Sequence, residues 1–299
     1  MNLTDVLSRP RTLRLGRFIS RRTPTRAGYR LLWWVSGLVS RLRPAVYDVI
    51  AANVGQVLAP EAGPETVGAT ARRIIYYFLQ GYYDLFRAMG RPYEELLDWV
   101  EVPDSLKSLL HAAREAGRGL IVVVAHVGNF DLGGQIVSAY APNLQVISLA
   151  DPHPGFRQLN DLRQLGGARI TPLGPAALRQ AFRTLREAGV LVVGGDRPVS
   201  DLDRPVPFFG RPTRVPSAHV RLALRTNALV AVTGCVYRPE TGRYSLELEP
   251  PLEMVRTGDR EEEVQVNMRH TLDALENLIR RHLDQWMMFV PVWPEPSTE

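Results

Sequence analysis

A histidine and two aspartates have the placement that acid–base chemistry needs. His126 and Asp131 stand in GLIVVVAHVGNFDLGG, residues 119–134, with the spacing His-x-x-x-x-Asp; Asp196 follows the apolar run VLVVGG. A neutral imidazole takes a proton from a hydroxyl only when its ring is oriented. A carboxylate bonded to the other ring nitrogen fixes the tautomer and stabilises the imidazolium that forms. The expected chemistry is proton abstraction by His126, with Asp131 orienting it across a strand-to-helix turn. Amides around Gly128 and Asn129, at a helix N-terminus, are placed to receive developing negative charge. The same spacing is also what a strand end followed by a helix cap leaves behind.

The elements that must hold these residues are legible in the pattern. Gly119 to Ala125 is an apolar run rich in β-branched residues, which reads as a buried strand of a mostly parallel sheet. It delivers His126 to the carboxyl edge, where open α/β sheets bind ligands. LQVISLA (144–150), ARITPL (168–173) and VLVVGG (190–195) read as strands, and FRQLNDLRQLG (156–166) and PAALRQAFRTLREAG (175–189) as helices. This alternation predicts βαβ units flanking a mostly parallel sheet, so Asp196 and His126 belong to one edge. An ordinary loop ion pair is the plainer account of Asp196-Arg197. The loop 198–214 is stiffened by four prolines and carries Phe208, Phe209, Arg211 and Arg214, which suit a substrate with an apolar tail and an anionic head. Helices are predicted over 44–90 and 104–116 and from Ser217. IIYYFLQGYYDLFRAMG reads as a core helix, or as the lining of an acyl-chain slot. ALVAVTGCVYR and RYSLELEP read as an antiparallel edge pair, and 291–296 as a frayed tail.

AHVGNFD, then VPFFGRPTRVPSAHVRLALRTNA, resembles the bacterial lipid A biosynthesis acyltransferase family, a branch of the lysophospholipid acyltransferases that includes the phosphatidylinositol mannoside acyltransferases. The first block matches the family pattern H-x-G-N-[WF]-[DE] and the second its V-x-F-F-G block. QLNDLRQLGGARI resembles the middle block, with Arg163 at the family's arginine. DQWMMFVPVW is similar to the tryptophan-rich ends of the mannoside branch, and the likeness runs in order from about residue 30 to 294. It implies acyl transfer from an acyl thioester to a lipid hydroxyl, with acyl-CoA or an acyl carrier protein as co-substrate; the mannoside branch favours coenzyme A. It also implies a further acidic residue ahead of FFG, for which Asp196, Asp201 and Asp203 are all candidates.

The 299 residues fit one α/β domain over 44–299, preceded by a basic segment over 1–43. Ten arginines against one acid give that segment a net charge of +9, above the whole chain's +5. Its apolar stretch Leu31 to Val39 is too short to span a bilayer, which takes roughly 20 residues. Trp33 and Trp34 among arginines predict a segment lying on an anionic membrane surface, at the cytoplasmic face. A core-facing helix with a solvated basic arm is the alternative. Lys107 is the single lysine, and arginine suits bidentate phosphate contacts; Arg163, Arg197, Arg211 and Arg214 are the expected phosphate ligands. The single cysteine, Cys235, excludes a disulfide framework and a cysteine-based metal site and reads as a buried, inert thiol. His111, His153, His219, His270 and His282 have no ligand spacing, so neither a metal nor a cofactor is expected. No nucleic-acid partner is indicated, and without a G-x-S-x-G elbow an α/β-hydrolase is disfavoured. Two functions from different classes remain: the acyltransferase, and a non-catalytic peripheral protein that binds anionic lipid.

Overall fold

The computed structural model describes residues 10–88, 91–141, 143–150, 167–199 and 204–293. In chain order the strands are β1 (Val100–Glu101), β2 (Leu120–Gly128), β3 (Leu144–Ser148), β4 (Arg169–Pro172), β5 (Val190–Gly194), β6 (Val206–Phe208), β7 (Arg211–Thr213), β8 (Leu229–Arg238) and β9 (Arg243–Leu248). Seven of them form one sheet in the order β1-β9-β8-β2-β5-β3-β4, and β6 and β7 form a separate hairpin. Every neighbouring pair of the large sheet is parallel except β8–β9. The predicted architecture, a mostly parallel sheet flanked by helices, is therefore observed. The predicted helix over 156–166 lies outside the described residues.

The helices are α1 (Pro10–Arg22), α2 (Thr25–Leu42), α3 (Ala45–Leu58), α4 (Pro64–Ala88), α5 (Tyr93–Leu97), α6 (Asp104–Glu115), α7 (Phe130–Tyr140), α8 (Pro175–Arg186), α9 (Ala218–Thr226) and α10 (Arg260–Arg281). Side chains alternate across a strand, so β2 divides the core. Ile121, Val123, Ala125 and Val127 pack with α3, α4, α8, α9 and α10. Leu120 and Val122 pack with α5, α6 and α7 on the other face. A strand covered on both faces has to be apolar at every position, which is what the run LIVVVA supplies. Strand β2 thereby sits at the middle of the sheet, with β5 on one side and β8 on the other.

Two expectations about the C-terminal half are corrected. The β8–β9 pair is antiparallel but not an edge: β8 lies against β2, and β1 pairs outside β9 through Val100↔Tyr244. The supposed frayed tail is docked as far as Trp293. Asn53 Nδ2 donates to the carbonyls of Met288 (3.2 Å) and Val290 (2.9 Å), and the Val292 amide donates back to Asn53 Oδ1 (3.2 Å). Val292 and Trp293 are buried, so apolar burial holds a segment whose prolines suggested a loose end.

The α1–α2 hairpin has two unlike faces. One packs on α4: a Cβ on Gly28 would lie 2.7 Å from the Tyr83 ring, and Tyr83 donates to the Thr23 carbonyl at 2.7 Å. The other is open. Eight of the ten exposed large apolar side chains among the described residues lie on these helices, including Phe18, Trp34 (75 % exposed), Leu38 and Leu42. Among the described residues no helix is long and apolar enough to cross a membrane.

Candidate active site

The site is built where β2 and β5 end. Their parallel register runs from Leu120↔Val190 to Val124↔Gly194. The Gly195 amide then donates to the Val124 carbonyl at 3.2 Å, which carries β5 one step further and sets Asp196 beside His126. Glycine is required at 195, since a Cβ there would stand 2.3 Å from Val123 Cγ1. Between Val124 and Gly128 the register of β2 against β8 shifts, and the His126 amide donates to a side chain, Asp196 Oδ2, at 2.8 Å. The His126 carbonyl accepts from the Met287 amide at 2.6 Å.

Asp196 is the carboxylate at the histidine ring. Its Oδ1 lies 2.5 Å from His126 Nδ1, and its Oδ2 also accepts from Trp286 Nε1 at 2.8 Å. Asp196 is fully buried, whereas the His126 side chain is 24 % exposed. Burial by itself would push the Asp196 carboxyl up. The His126 charge, its ring and backbone hydrogen bonds and the Trp286 donor outweigh that, and the carboxyl rests below its usual range. An ionised Asp196 can only accept, so Nδ1 carries the proton. Nε2 is then free to accept one, from a ring steadied edge-on by Phe130 at 5.3 Å. The arrangement is that of a general base with its orienting carboxylate.

This corrects the sequence reading at one point: the Nδ1 contact expected of Asp131 belongs to Asp196. Asp131 is half-buried in the first turn of α7, where a negative charge suits the helix N-terminus. Gly128 and Asn129 build the turn. Gly128 has φ +65, and a Cβ there would lie 1.9 Å from the Cys235 carbonyl oxygen. The Asn129 amide donates to that same carbonyl at 2.7 Å, so it is committed and does not face a developing oxyanion. Asn129 Oδ1 caps α7 by accepting from the Leu132 amide (3.2 Å), and its Nδ2 donates to the Gly81 carbonyl on α4 (3.0 Å).

Arg197 is half-buried next to Asp196. Burial lowers its guanidinium from the ordinary value, opposed by the Asp196 charge. Arg211 and Arg214 are exposed on and just after β7. Arg163, Asp201 and Asp203 lie outside the described residues. Phe208 and Phe209 are not open to a substrate chain. They are 0 % and 6 % exposed and pack against Trp293 (ring centroids 5.9 and 6.1 Å), with Phe209 also against Trp286 (6.2 Å). Apolar rings packed among other aromatic rings gain more from burial than from lining a groove. Cys235 is buried with its thiol pushed up to about 12 by desolvation, so it is no nucleophile near neutral pH. Among the described residues no cluster of three or more His, Cys, Asp or Glu is placed to hold a metal ion.

Two contributors had no signal in spacing. Trp286 reaches Asp196 from ninety residues downstream, and its backbone bridges Val127; only the likeness of DQWMMFVPVW to the mannoside branch pointed there. Glu276 on α10 accepts from the Phe209 amide (2.8 Å) and pairs with Arg269 and Arg280 (both 2.8 Å), which pins the FFG turn.

A model of the bacterial lipid A biosynthesis acyltransferases matches residues 21–295. The chain is similar to the phosphatidylinositol mannoside acyltransferase of Mycobacterium tuberculosis, with 28% identity over 189 residues, 62% of this chain and 57% of that one. It is similar also to the protein of that name from Mycolicibacterium smegmatis, with 28% identity over 208 residues, 67% of this chain and 63% of that one. The match thus spans about three-fifths of these relatives' length. The family match takes in both strand ends that carry the His126–Asp196 pair and the C-terminal segment that closes over it, and the chain belongs to the bacterial lipid A biosynthesis acyltransferase family.

Proposed function

We propose that this protein moves a fatty acyl chain from an acyl thioester to a hydroxyl of a membrane glycolipid. One observation carries the reading: the buried Asp196 carboxyl holds Nδ1 of a partly exposed His126, leaving Nε2 as base. A module that only binds lipid has no use for that arrangement. In the proposed reaction Nε2 takes the proton of the acceptor hydroxyl, and the oxygen attacks the thioester carbonyl. The carbon–sulfur bond then breaks, and the thiolate leaves with the proton from the imidazolium. Arg197 stands beside the pair to stabilise the negative oxygen of the intermediate. The family supports a lipid acceptor, and the names of the mannoside relatives support a phosphorylated glycolipid; coenzyme A as donor carrier is proposed from the likeness of DQWMMFVPVW to the mannoside branch. Lipid mass spectrometry of cells with and without the gene tests this. One acyl chain missing from one glycolipid is the expected result; an unchanged lipid profile, together with no transfer in vitro from acyl-CoA or acyl carrier protein, would overturn it.

The donor's phosphates fall to arginine, whose planar fork binds them bidentately. Arg197→Ala is expected to lower kcat strongly, and Arg163→Ala likewise from its family position. Arg211→Ala and Arg214→Ala should mainly raise KM for the thioester. A short donor without the nucleotide or carrier separates the roles. Equal impairment of the Arg211 and Arg214 variants with both donors would remove them as phosphate ligands.

The open face of α1 and α2 supports peripheral binding at a membrane, and we place that membrane surface on the cytoplasmic side as part of the proposal. Residues 10–43 contain nine arginines and no acid, beside the exposed Phe18, Trp34, Leu38 and Leu42. Each basic residue near an anionic leaflet adds about 1 kcal/mol, screened by salt. Phe18→Ala with Trp34→Ala should weaken sedimentation with anionic vesicles, and binding of the unaltered protein should fall as salt rises. If neither changes binding, this face does not meet the membrane.

A further inference from the structure

We propose that Gln285 is a positioning residue for the His126–Asp196 pair: its side-chain amide takes the place of a missing strand at the end of β8 and so aims the Trp286 indole at Asp196. The consequence for turnover rests on the acyl-transfer reading, whereas the aim of the indole rests on geometry alone. In a central strand the backbone groups of alternate residues face the same neighbour. On the β2 side of β8 the Leu229 amide donates to the Gly119 carbonyl (2.9 Å), and the Cys235 carbonyl accepts from the Asn129 amide (2.7 Å). Tyr237 is next in that row, but β2 ends at Gly128 and the chain turns into α7. On the other side Tyr237 faces Tyr244, whose amide goes to the Trp99 carbonyl at 2.8 Å. Gln285 fills the vacated place. The Tyr237 amide donates to Gln285 Oε1 (2.8 Å), and Gln285 Nε2 donates to the Tyr237 carbonyl (2.9 Å). A primary amide offers an acceptor and a donor side by side, as a peptide group does.

The residues that follow are placed by this contact. Gln285 ends a single turn, Leu283–Gln285, just after α10. The backbone of Trp286 then bridges Val127, and the Met287 amide donates to the His126 carbonyl at 2.6 Å. Residues 285–287 therefore hold, in order, the end of β8, the last part of β2 and the residue that carries the base. The Trp286 indole leaves from the middle of this row, and its Nε1 donates to Asp196 Oδ2 at 2.8 Å. Gln285 and Trp286 are both buried. Burial keeps the indole inside but does not aim its N–H. The rings nearest to it, Phe209 and Trp293, stand at 6.2 and 6.5 Å, and a ring packed among rings satisfies the apolar face in more than one rotation. The aim comes from the backbone, and the backbone is tied on one side by Gln285. The Trp286 donor is also one of the groups that favour the ionised form of Asp196. A misdirected indole would leave the carboxylate that orients His126 short of one donor.

Asn53 on α3 provides the comparison. It is a buried amide too, and it bonds the same C-terminal segment, at Met288, Val290 and Val292. Those bonds lie beyond the row that meets β8, β2 and Asp196. If Gln285 only stabilised the fold, the two amides would be equivalent. If it aims the indole, Gln285 matters to the His126–Asp196 pair and Asn53 does not.

Magnetic resonance of the full chain with isotope-labelled tryptophan tests the proposal, with the Trp286 indole N–H signal assigned as the one missing from Trp286→Phe. Gln285→Met matches the glutamine in length and removes both bonds. It should move the Trp286 signal and lower kcat by about tenfold, with KM nearly unchanged, because a misplaced group is felt in the transition state. Gln285→Asn keeps the amide but is one methylene short of Tyr237, and it should do the same, so either folded variant decides. Asn53→Leu should lower the melting temperature and leave both the Trp286 signal and kcat in place. An unmoved signal in the Gln285 variants, a moved signal with unaltered kcat, or the same shift in Asn53→Leu would overturn the proposal. The signal is read without turnover, so the two ideas fail separately. If the unaltered protein transfers no acyl group from any thioester, the reaction falls, and the Trp286 signal still decides whether Gln285 aims the indole.

Discussion

His126→Ala is expected to lower acyl transfer by about 100- to 10,000-fold while the protein remains folded, since that is the range of a lost general base. The fold should survive because the ring is partly exposed and lies outside the apolar core, while the His126 backbone keeps its bonds to Asp196 and Met287. The measurement is initial rate with a thioester donor and a glycolipid acceptor, beside circular dichroism and thermal melting. The loss should sit in kcat, because the histidine acts on the hydroxyl in the transition state and adds little to substrate binding. Near-normal turnover in a folded variant would sink the mechanism.

Asp196→Asn should be nearly as damaging, by about 10,000-fold if the orienting carboxylate works as in a hydrolase triad. The reason is geometric. Oδ2 already accepts from the His126 amide and the Trp286 indole. An asparagine satisfies those two donors only by turning its amide nitrogen toward Nδ1. It then donates to the ring, Nδ1 loses its proton, and the proton on Nε2 blocks the base. Asp196 should also stabilise the fold at neutral pH. Its carboxyl rests below the usual range in the folded protein, so its contribution is present above the unfolded value and disappears as pH falls through the folded one. The asparagine variant should lack this acid-dependent loss. Trp286→Phe is the graded version: the ring still packs, and one donor to Oδ2 is gone. A carboxylate with one donor fewer rests nearer its usual range, so the acid-dependent loss of stability should be smaller than in the unaltered protein. A residue that only packs would lower the melting temperature equally at every pH.

The sequence alone determined the strand, its place and the histidine at its end. An apolar run of β-branched residues can be satisfied only by burial on both faces, and β2 lies at the middle of the sheet. It also brought Asp196 to the same edge, because strands joined by right-handed crossovers run parallel and end together. The family blocks added the reaction class. Which carboxylate meets the ring was beyond the sequence. Spacing favours Asp131, five residues away, but the contact depends on the register Val124↔Gly194 and on the close approach of the two strands at Gly195. Trp286 meets Asp196 across ninety residues of chain, and Phe208 and Phe209 were read as substrate-facing because aromatic residues in a proline-rich loop carry no mark of burial. A local pattern records what a segment needs, an apolar face or a turn. Which distant segment supplies it is decided by packing, and only the tertiary structure contains that.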